Sequence, residues 1–357
     1  MVYVSPADEQ DIGGTDGNVD QYWLQDHCGH SDVYIDALRI SAISFSSVLL
    51  LLAIEEKEEH EPLLQIPRVV ACTTLRVRTP ITHIFEQLGP YYTRRAFRMN
   101  AESFFNLHDM LFPTLGSSFI TSATSKKKHR NGARNGLLPS PTRLGAAIRY
   151  FAGGSPYDLA VMFGISVKEV FTSVWRTMDA VNACPLLDIK FPKDHVQQQR
   201  IAKRFQDRSK ANFACCVGAI DGMLVWIKKP KVKDCINVEF GPLKFYCGRK
   251  KKYGLNFMAT CDDKCRFLDI EIRHPGSTSD CLAFATSNLK AMLEVPGFLA
   301  PGLVLFGDNA YANTSYMVTP YKGNVSVTED AFNFYHSQLR IQIECAFGRL
   351  VHRWGLL

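Results

Sequence analysis

Residues 213–229, FACCVGAIDGMLVWIKK, constrain the chain most. Positions 213–220 are β-branched, small or aromatic and carry no charge, which is the composition of a strand buried on both faces of a sheet. The run breaks at Asp221-Gly222. A carboxylate at the end of a buried strand is costly unless something pairs it, and cations are its cheapest partners. Two further acids have comparable settings. Asp308 ends the apolar run of LVLFGDNAY (303–311), and Glu344 lies in QLRIQIECAFGRL (338–350), whose apolar spacing is helical. Between Asp308 and Glu344 lie 35 residues.

Four segments, GAIDG (218–222), PGSTSD (275–280), GDNAY (307–311) and ECAFGRL (344–350), together resemble the DDE transposases of the PIF/Harbinger superfamily and their host-domesticated relatives. The resemblance covers roughly residues 97–357 and is strongest after 211. It implies an α/β fold with a ribonuclease-H-like mixed sheet flanked by helices, preceded by a helical, helix-turn-helix-like domain. Asp221, Asp308 and Glu344 then stand as catalytic and metal-ligating residues. Three converging carboxylates repel one another and push at least one into its neutral form, but two divalent metals about 4 Å apart keep them ionised. Hard oxygen ligands select Mg²⁺ or Mn²⁺. In that arrangement Asp221 bridges both metals, with Asp308 and Glu344 each completing one site. The implied function is a metal-dependent DNA endonuclease and transposase that cuts and joins element ends by in-line phosphoryl transfer. The alternative is a domesticated, inactive DNA-binding or interaction protein that keeps the fold. Implied partners are DNA, as terminal inverted repeats and target site, a Myb-like DNA-binding accessory protein and further copies of the chain; no membrane is involved. The implied location is the nucleus, or the cytoplasm without the partner.

Charge is unevenly spread along the 357 residues, whose net charge is only +6. Residues 1–70 hold thirteen acids against three bases, whereas residues 228–252 hold nine bases against two acids. Lys228, Lys229, Lys231, Lys233, Arg249, Lys250, Lys251 and Lys252 are thus candidates for gripping DNA backbone beside Asp221, with solubility as the plainer explanation. Eleven cysteines, an odd number and several on expected core strands, point to reduced thiols in a cytosolic or nuclear protein. Cys261 and Cys265 lack a second pair at ligand spacing, so structural zinc is not expected. No motif marks the compact pocket of a small-substrate hydrolase.

Three regions follow from punctuation. Residues 1–96 read as an acidic, partly disordered arm without a signal peptide. Its apolar run 40–54 falls short of the roughly 20 residues of a spanning helix, so a docking helix is expected, with a membrane anchor as the alternative. Pro62, Pro67, Pro80 and Pro90 suggest a linker. Residues 97–200 read as helical, with Asn100 capping a helix stopped by Pro113 and a basic loop at 124–136. Residues 142–182 there outline a helix-turn-helix: Ser155-Pro156 opens the second helix, and Ser166 and Glu169 form a capping box for the third. Val167, Val170, Val174, Met178 and Val181 form the third helix's inner face, leaving Lys168, Thr172, Ser173, Arg176 and Thr177 elsewhere. Lys168 and Arg176 are candidate DNA contacts; the alternative is a three-helix cap that packs on the sheet.

The catalytic region, 211–357, follows a polar connector at 193–210. Strands are expected at 213–228, 254–262, 265–273, 303–307 and 322–328, with helices at 281–293 and 331–354. On the last helix Leu339, Ile343, Phe347, Leu350 and Trp354 form the packing face, and Glu344 lies about 60° around from Phe347. A solvated Glu344 paired with Arg340 one turn back is the plainer reading. Ser279 replaces the His that normally precedes Asp280 in the resembling family, and Asp280 is expected to cap the following helix rather than touch metal. Asn309 either orients Asp308 or begins the turn. The family's sequence normally continues well past the glutamate, and a chain stopping at Leu357 is expected to be a shortened copy.

Overall fold

The computed structural model describes residues 76–116, 137–235 and 238–354. Residues 1–75 of the expected arm, including the apolar run at 40–54, and the basic loop at 124–136 lie outside them. Among the described residues no helix is long and apolar enough to cross a membrane.

Five helices come first: α1 (Ile81–Phe97), α2 (Ala101–Leu115), α3 (Ser140–Phe151), α4 (Pro156–Met162) and α5 (Val167–Asn182). Helix α1 replaces part of the expected linker. Pro80 takes its N-cap position, and the chain absorbs Pro90 by leaving helical geometry at Gly89, with φ 69° and ψ 169°. Asn100 caps α2, its side chain accepting from Ser103 N–H at 2.8 Å. Pro113 sits inside the last turn of α2 rather than ending it.

Helix α5 is capped as expected by Ser166, but its buried stripe is wider than the valines alone. Ser173 and Thr177 are buried too, with Ser173 satisfied by donating to the Glu169 carbonyl at 2.7 Å. The expected capping box is half made, because Glu169 turns away to pair with the buried Arg143 at 3.0 Å. Lys168 and Arg176 are exposed.

The expected connector at 193–210 is instead helix α6 (His195–Arg208). Of its four apolar positions, Ile201, Ala202 and Phe205 are buried, and Val196 in the first turn is exposed. Its Arg204 reaches Asp263 at 2.6 Å and Asp262 at 3.3 Å, and Arg266 reaches Asp262 at 2.6 Å. This network ties α6 to the turn between two strands.

The sheet is mixed. Strands β1 (Cys216–Trp226), β2 (Tyr246–Cys247), β3 (Lys252–Cys261), β4 (Phe267–Pro275), β5 (Val304–Phe306) and β6 (Met317–Val318) run in the order β2-β3-β1-β5-β6, with β4 also paired to β3. β1, β3 and β4 form the expected antiparallel meander, and β5 adds parallel to β1. This is the ribonuclease-H-like mixed sheet flanked by helices that the sequence implied. Helix α7 (Asp280–Ala285) and helix α8 (Asn288–Leu293) divide what reads as one helix, because Ser287 caps α8 and breaks the run. No strand forms at 322–328; β6 lies earlier, and Ser326 and Glu329 make a full capping box that starts α9 (Val327–Arg353) at Val327.

Two apolar clusters hold the elements together. One joins α1–α5 to Ala219, Phe257 and Phe267 of the sheet and to Ile343, Phe347, Leu350 and Trp354 at the C-terminal end. The other joins α6, α7 and α8 to Ile220, Met258, Leu305 and Phe306. Side chains alternate along a strand, so neighbours such as Ala219 and Ile220 serve opposite clusters.

Candidate functional site

Register brings two of the acids together. Ala219 of β1 stands opposite Phe306 of the parallel strand β5. Two residues beyond each lies an aspartate, Asp221 within β1 and Asp308 just past the end of β5, two neighbouring strands whose usual spacing is about 4.8 Å. Alternation turns Asp221 to the same face as Ala219, the face covered by α9. Gly222 faces the other way, and a Cβ there would lie 2.0 Å from Asp280 Oδ1. Glycine at 222 therefore makes room for a third aspartate from α7.

Asp280 is not the N-cap of α7. Ser279 takes that place, accepting from Leu282 N–H, and releases the Asp280 carboxylate into the site. Asn256, buried on β3, donates to Asp280 Oδ1 at 2.8 Å. Asp221, Asp280, Asp308, Arg340 and Glu344 all line one open cleft, whose lining also includes Trp226, Arg249 and Lys250. Asn309, beside Asp308, is exposed, and Asp308 itself accepts from Ala310 N–H at 2.8 Å.

Glu344 enters from α9. Leu339, Ile343, Phe347, Leu350 and Trp354 are buried as the periodicity required, and Glu344 stands at their edge with about half its side chain exposed. Arg340 joins it to the strand acid: Nη2 lies 2.7 Å from Glu344 Oε1, and Nη1 lies 3.4 Å from Asp221 Oδ2. One planar guanidinium spans both contacts, which keeps those two carboxylate oxygens within about 9 Å of each other.

The site is short of positive charge. Burial pushes the Asp221 carboxyl up to about 6, with the Asp308 and Asp280 charges adding to the rise; the Gly222 N–H and Arg340 oppose it. Tyr311, two-residue neighbour of Asn309, is 2% exposed, and its hydroxyl has no hydrogen-bond partner. Burial raises that hydroxyl well above the usual tyrosine range, and the charges of Asp280, Asp221 and Asp308 raise it further. Among the described residues no three His, Cys, Asp or Glu side chains are close enough to hold one ion. The donor chemistry nevertheless fits hard divalent cations: carboxylate oxygens gather in one cleft, a buried acid resists ionisation, and an arginine occupies two of the acids in the place where a cation would neutralise them.

The expected DNA-contact residues divide. Arg249 and Lys250 line the acidic cleft. Lys228, Lys229, Lys231, Lys233, Lys251 and Lys252 are exposed on the turns and strand ends nearby, and Lys252 Nζ lies 3.1 Å from the centre of the half-exposed Trp226 ring. Lys168 and Arg176 belong to α5 and do not line this cleft. Sequence reasoning missed Asp280, Asn256, Trp226 and Tyr311 as parts of the cleft and its support. The Asp-Gly step at 221–222 and the Tyr ending GDNAY carried signals for two of them.

Residues 220–357 match the family described as DDE superfamily endonuclease. The chain is also 22% identical over 269 residues to the Arabidopsis thaliana protein named Protein ALP1-like, covering 72% of this chain and 63% of that one. It is 24% identical over 234 residues to the Arabidopsis thaliana protein Antagonist of Like Heterochromatin Protein 1, covering 62% of this chain and 56% of that one. The chain thus spans less than two thirds of the length of either relative. No solved structure matches.

Proposed function

We propose that this DDE domain is a metal-dependent DNA endonuclease of the transposase type, cutting and joining DNA at the ends of a mobile element. The observation that carries the reading is the convergence of Asp221, Asp308 and Glu344 on one cleft from two neighbouring strands and a helix. Asp221, with Asp308 and Glu344, would hold two ions of Mg²⁺ or Mn²⁺. Such a metal pair activates the attacking oxygen and stabilises the departing one. The chain's own residues supply the rest. Asn256 orients Asp280 from behind, Gly222 leaves space for that carboxylate, and Arg249 and Lys250 hold the DNA backbone along the cleft wall. Lys228, Lys229, Lys231, Lys233, Lys251 and Lys252 extend that grip without reading sequence. Terminal inverted repeats and a target site are the proposed DNA, with sequence recognition shared by the exposed Lys168 and Arg176 of α5 and a Myb-like partner. The protein acts in the nucleus, as further copies assemble on two element ends.

A nicking assay with supercoiled DNA and Mg²⁺ or Mn²⁺ tests the reading. Metal-dependent cleavage that Asp221→Asn abolishes supports it, and DNA binding without cleavage by the wild-type protein overturns it. That second outcome would support a domesticated, non-catalytic DNA-binding or interaction protein. The name of the relative that antagonises a heterochromatin protein, and the arginine seated on two of the acids, favour keeping that second reading in view.

A further inference from the structure

Arg340 lies where the endonuclease needs a metal. A guanidinium stays protonated at every pH a folded protein tolerates, so only movement can remove its charge from the cleft. Its two terminal nitrogens engage Asp221 Oδ2 and Glu344 Oε1. The other oxygen of Asp221 already accepts the Gly222 N–H at 2.8 Å. A divalent cation approaching Asp221 therefore meets both a like charge and carboxylate oxygens in use. Arg340 is itself four-fifths buried and sits one helical turn from Glu344. Its long side chain turns about several single bonds, through which the fork can leave the carboxylates while staying in the cleft it lines. Arg249 and Lys250 line that same cleft, so a DNA backbone held by them brings phosphate oxygens within its reach. Phosphate accepts a guanidinium in the same two-pronged geometry as carboxylate.

We propose that Arg340 is an exchangeable internal counter-ion: it holds Asp221 and Glu344 in the metal-free protein and passes to a DNA phosphate when metal enters. The inference rests on the endonuclease reading and adds a linkage to it. DNA tightens metal binding because it accepts the displaced guanidinium, and metal tightens DNA binding by the same factor because such coupling is reciprocal. An enzyme built this way loads its ions on a DNA-bound cleft and holds them weakly elsewhere.

The test measures Mn²⁺ binding to the full chain by electron paramagnetic resonance, with and without a short duplex DNA, in wild type, Arg340→Gln, Arg340→Lys and Asp221→Asn. Melting curves check that each variant is folded. In the absence of DNA, Arg340→Gln binds Mn²⁺ about tenfold tighter than wild type, within the range usual for coupled sites. Arg340→Lys, which keeps the charge without the fork, falls between them and serves alone if the glutamine variant does not fold. DNA tightens Mn²⁺ binding to wild type severalfold and has little effect on Arg340→Gln. Equal Mn²⁺ affinity in wild type and both Arg340 variants, with binding still lost in Asp221→Asn, overturns the exchange while leaving the endonuclease standing. Absence of any Asp221-dependent Mn²⁺ binding, with or without DNA, overturns both.

Discussion

Asp221 carries the energetic cost of the site in the metal-free protein. Its carboxyl titrates near 6 instead of at the usual value of 3.8, chiefly because it is buried. Above pH 6 the acid is ionised in both folded and unfolded chains, so the folded state bears the full penalty. As pH falls from 6 towards 3.8 the folded chain takes up the proton first, and that penalty fades. Asp221→Asn removes it at all pH values while keeping the shape. The variant should therefore melt higher than wild type at pH 7 without metal, by about 1–2 kcal/mol once the lost contact with Arg340 is allowed for. The advantage should shrink between pH 6 and 4, as paired denaturation curves at each pH would show. Added Mn²⁺ should reverse the order, because only the wild type has the charge to hold it. A variant no more stable than wild type at pH 7 would mean that Asp221 is not strained by its setting. Gly222→Ala addresses the neighbouring residue. Its methyl group must displace the Asp280 carboxylate, so cleavage should fall by at least about tenfold while the antiparallel pairing of β1 persists. Cleavage assays alongside circular dichroism would separate that loss from unfolding.

At the scale of elements, the site's main supports were legible and its lining was less so. The uncharged run into Asp221-Gly222, the apolar run that Asp308 ends and the apolar stripe of the last helix each have a pattern that belongs to one structure, so β1, β5 and α9 could be read directly. Their meeting depends on the β1–β5 register, which no local period encodes. Helix α6 was hidden because its four apolar positions sit among ten polar or charged residues, and its place is fixed by ion pairs to the β3–β4 turn instead. Asp280 was misread because two adjacent residues, Ser279 and Asp280, can both cap a helix; the serine did, since the aspartate had a buried amide to bind. The ion-pair network makes its own prediction. Removing Arg204 leaves Asp263, about 4% exposed, without its nearest cation, so Arg204→Ala should cost about 3 kcal/mol in a urea titration. The turns after β1 and the helix α5 both offer exposed bases, and DNA binding separates their roles. Replacing Arg249 and Lys250 with Gln should weaken binding to any duplex and lower the slope of log affinity against log salt by about 2. Replacing Lys168 and Arg176 should do the same only if α5 touches DNA; an unchanged slope would make α3–α5 a packing cap.

For the whole molecule, the helices α1–α5 and the sheet with α9 share one apolar core. Phe97, Phe104 and Phe163 belong to the same cluster as Phe257, Phe347 and Trp354. Arg353 at the end of α9 also donates to the carbonyl of Arg98 at 2.6 Å, joining the last helix to the first part of the helical region. The face of the sheet that α9 covers is thus completed by α1–α5, and the position of Glu344 depends on that packing as well as on its own helix. If the regions were energetically separate, a cavity in one would leave the other's stability unchanged. Phe104 is fully buried and packs edge to face against Phe85 at 5.1 Å, far from the carboxylates in sequence and element. Phe104→Ala should cost about 3–5 kcal/mol. Hydrogen exchange should report the loss equally at amides of α2 and at the slowest amides of β1 and β3, because all of them would open in one cooperative unit. Faster exchange confined to α1–α5, with β1 and β3 as slow as in the wild type, would show that the helical region unfolds by itself and that the cleft does not need it.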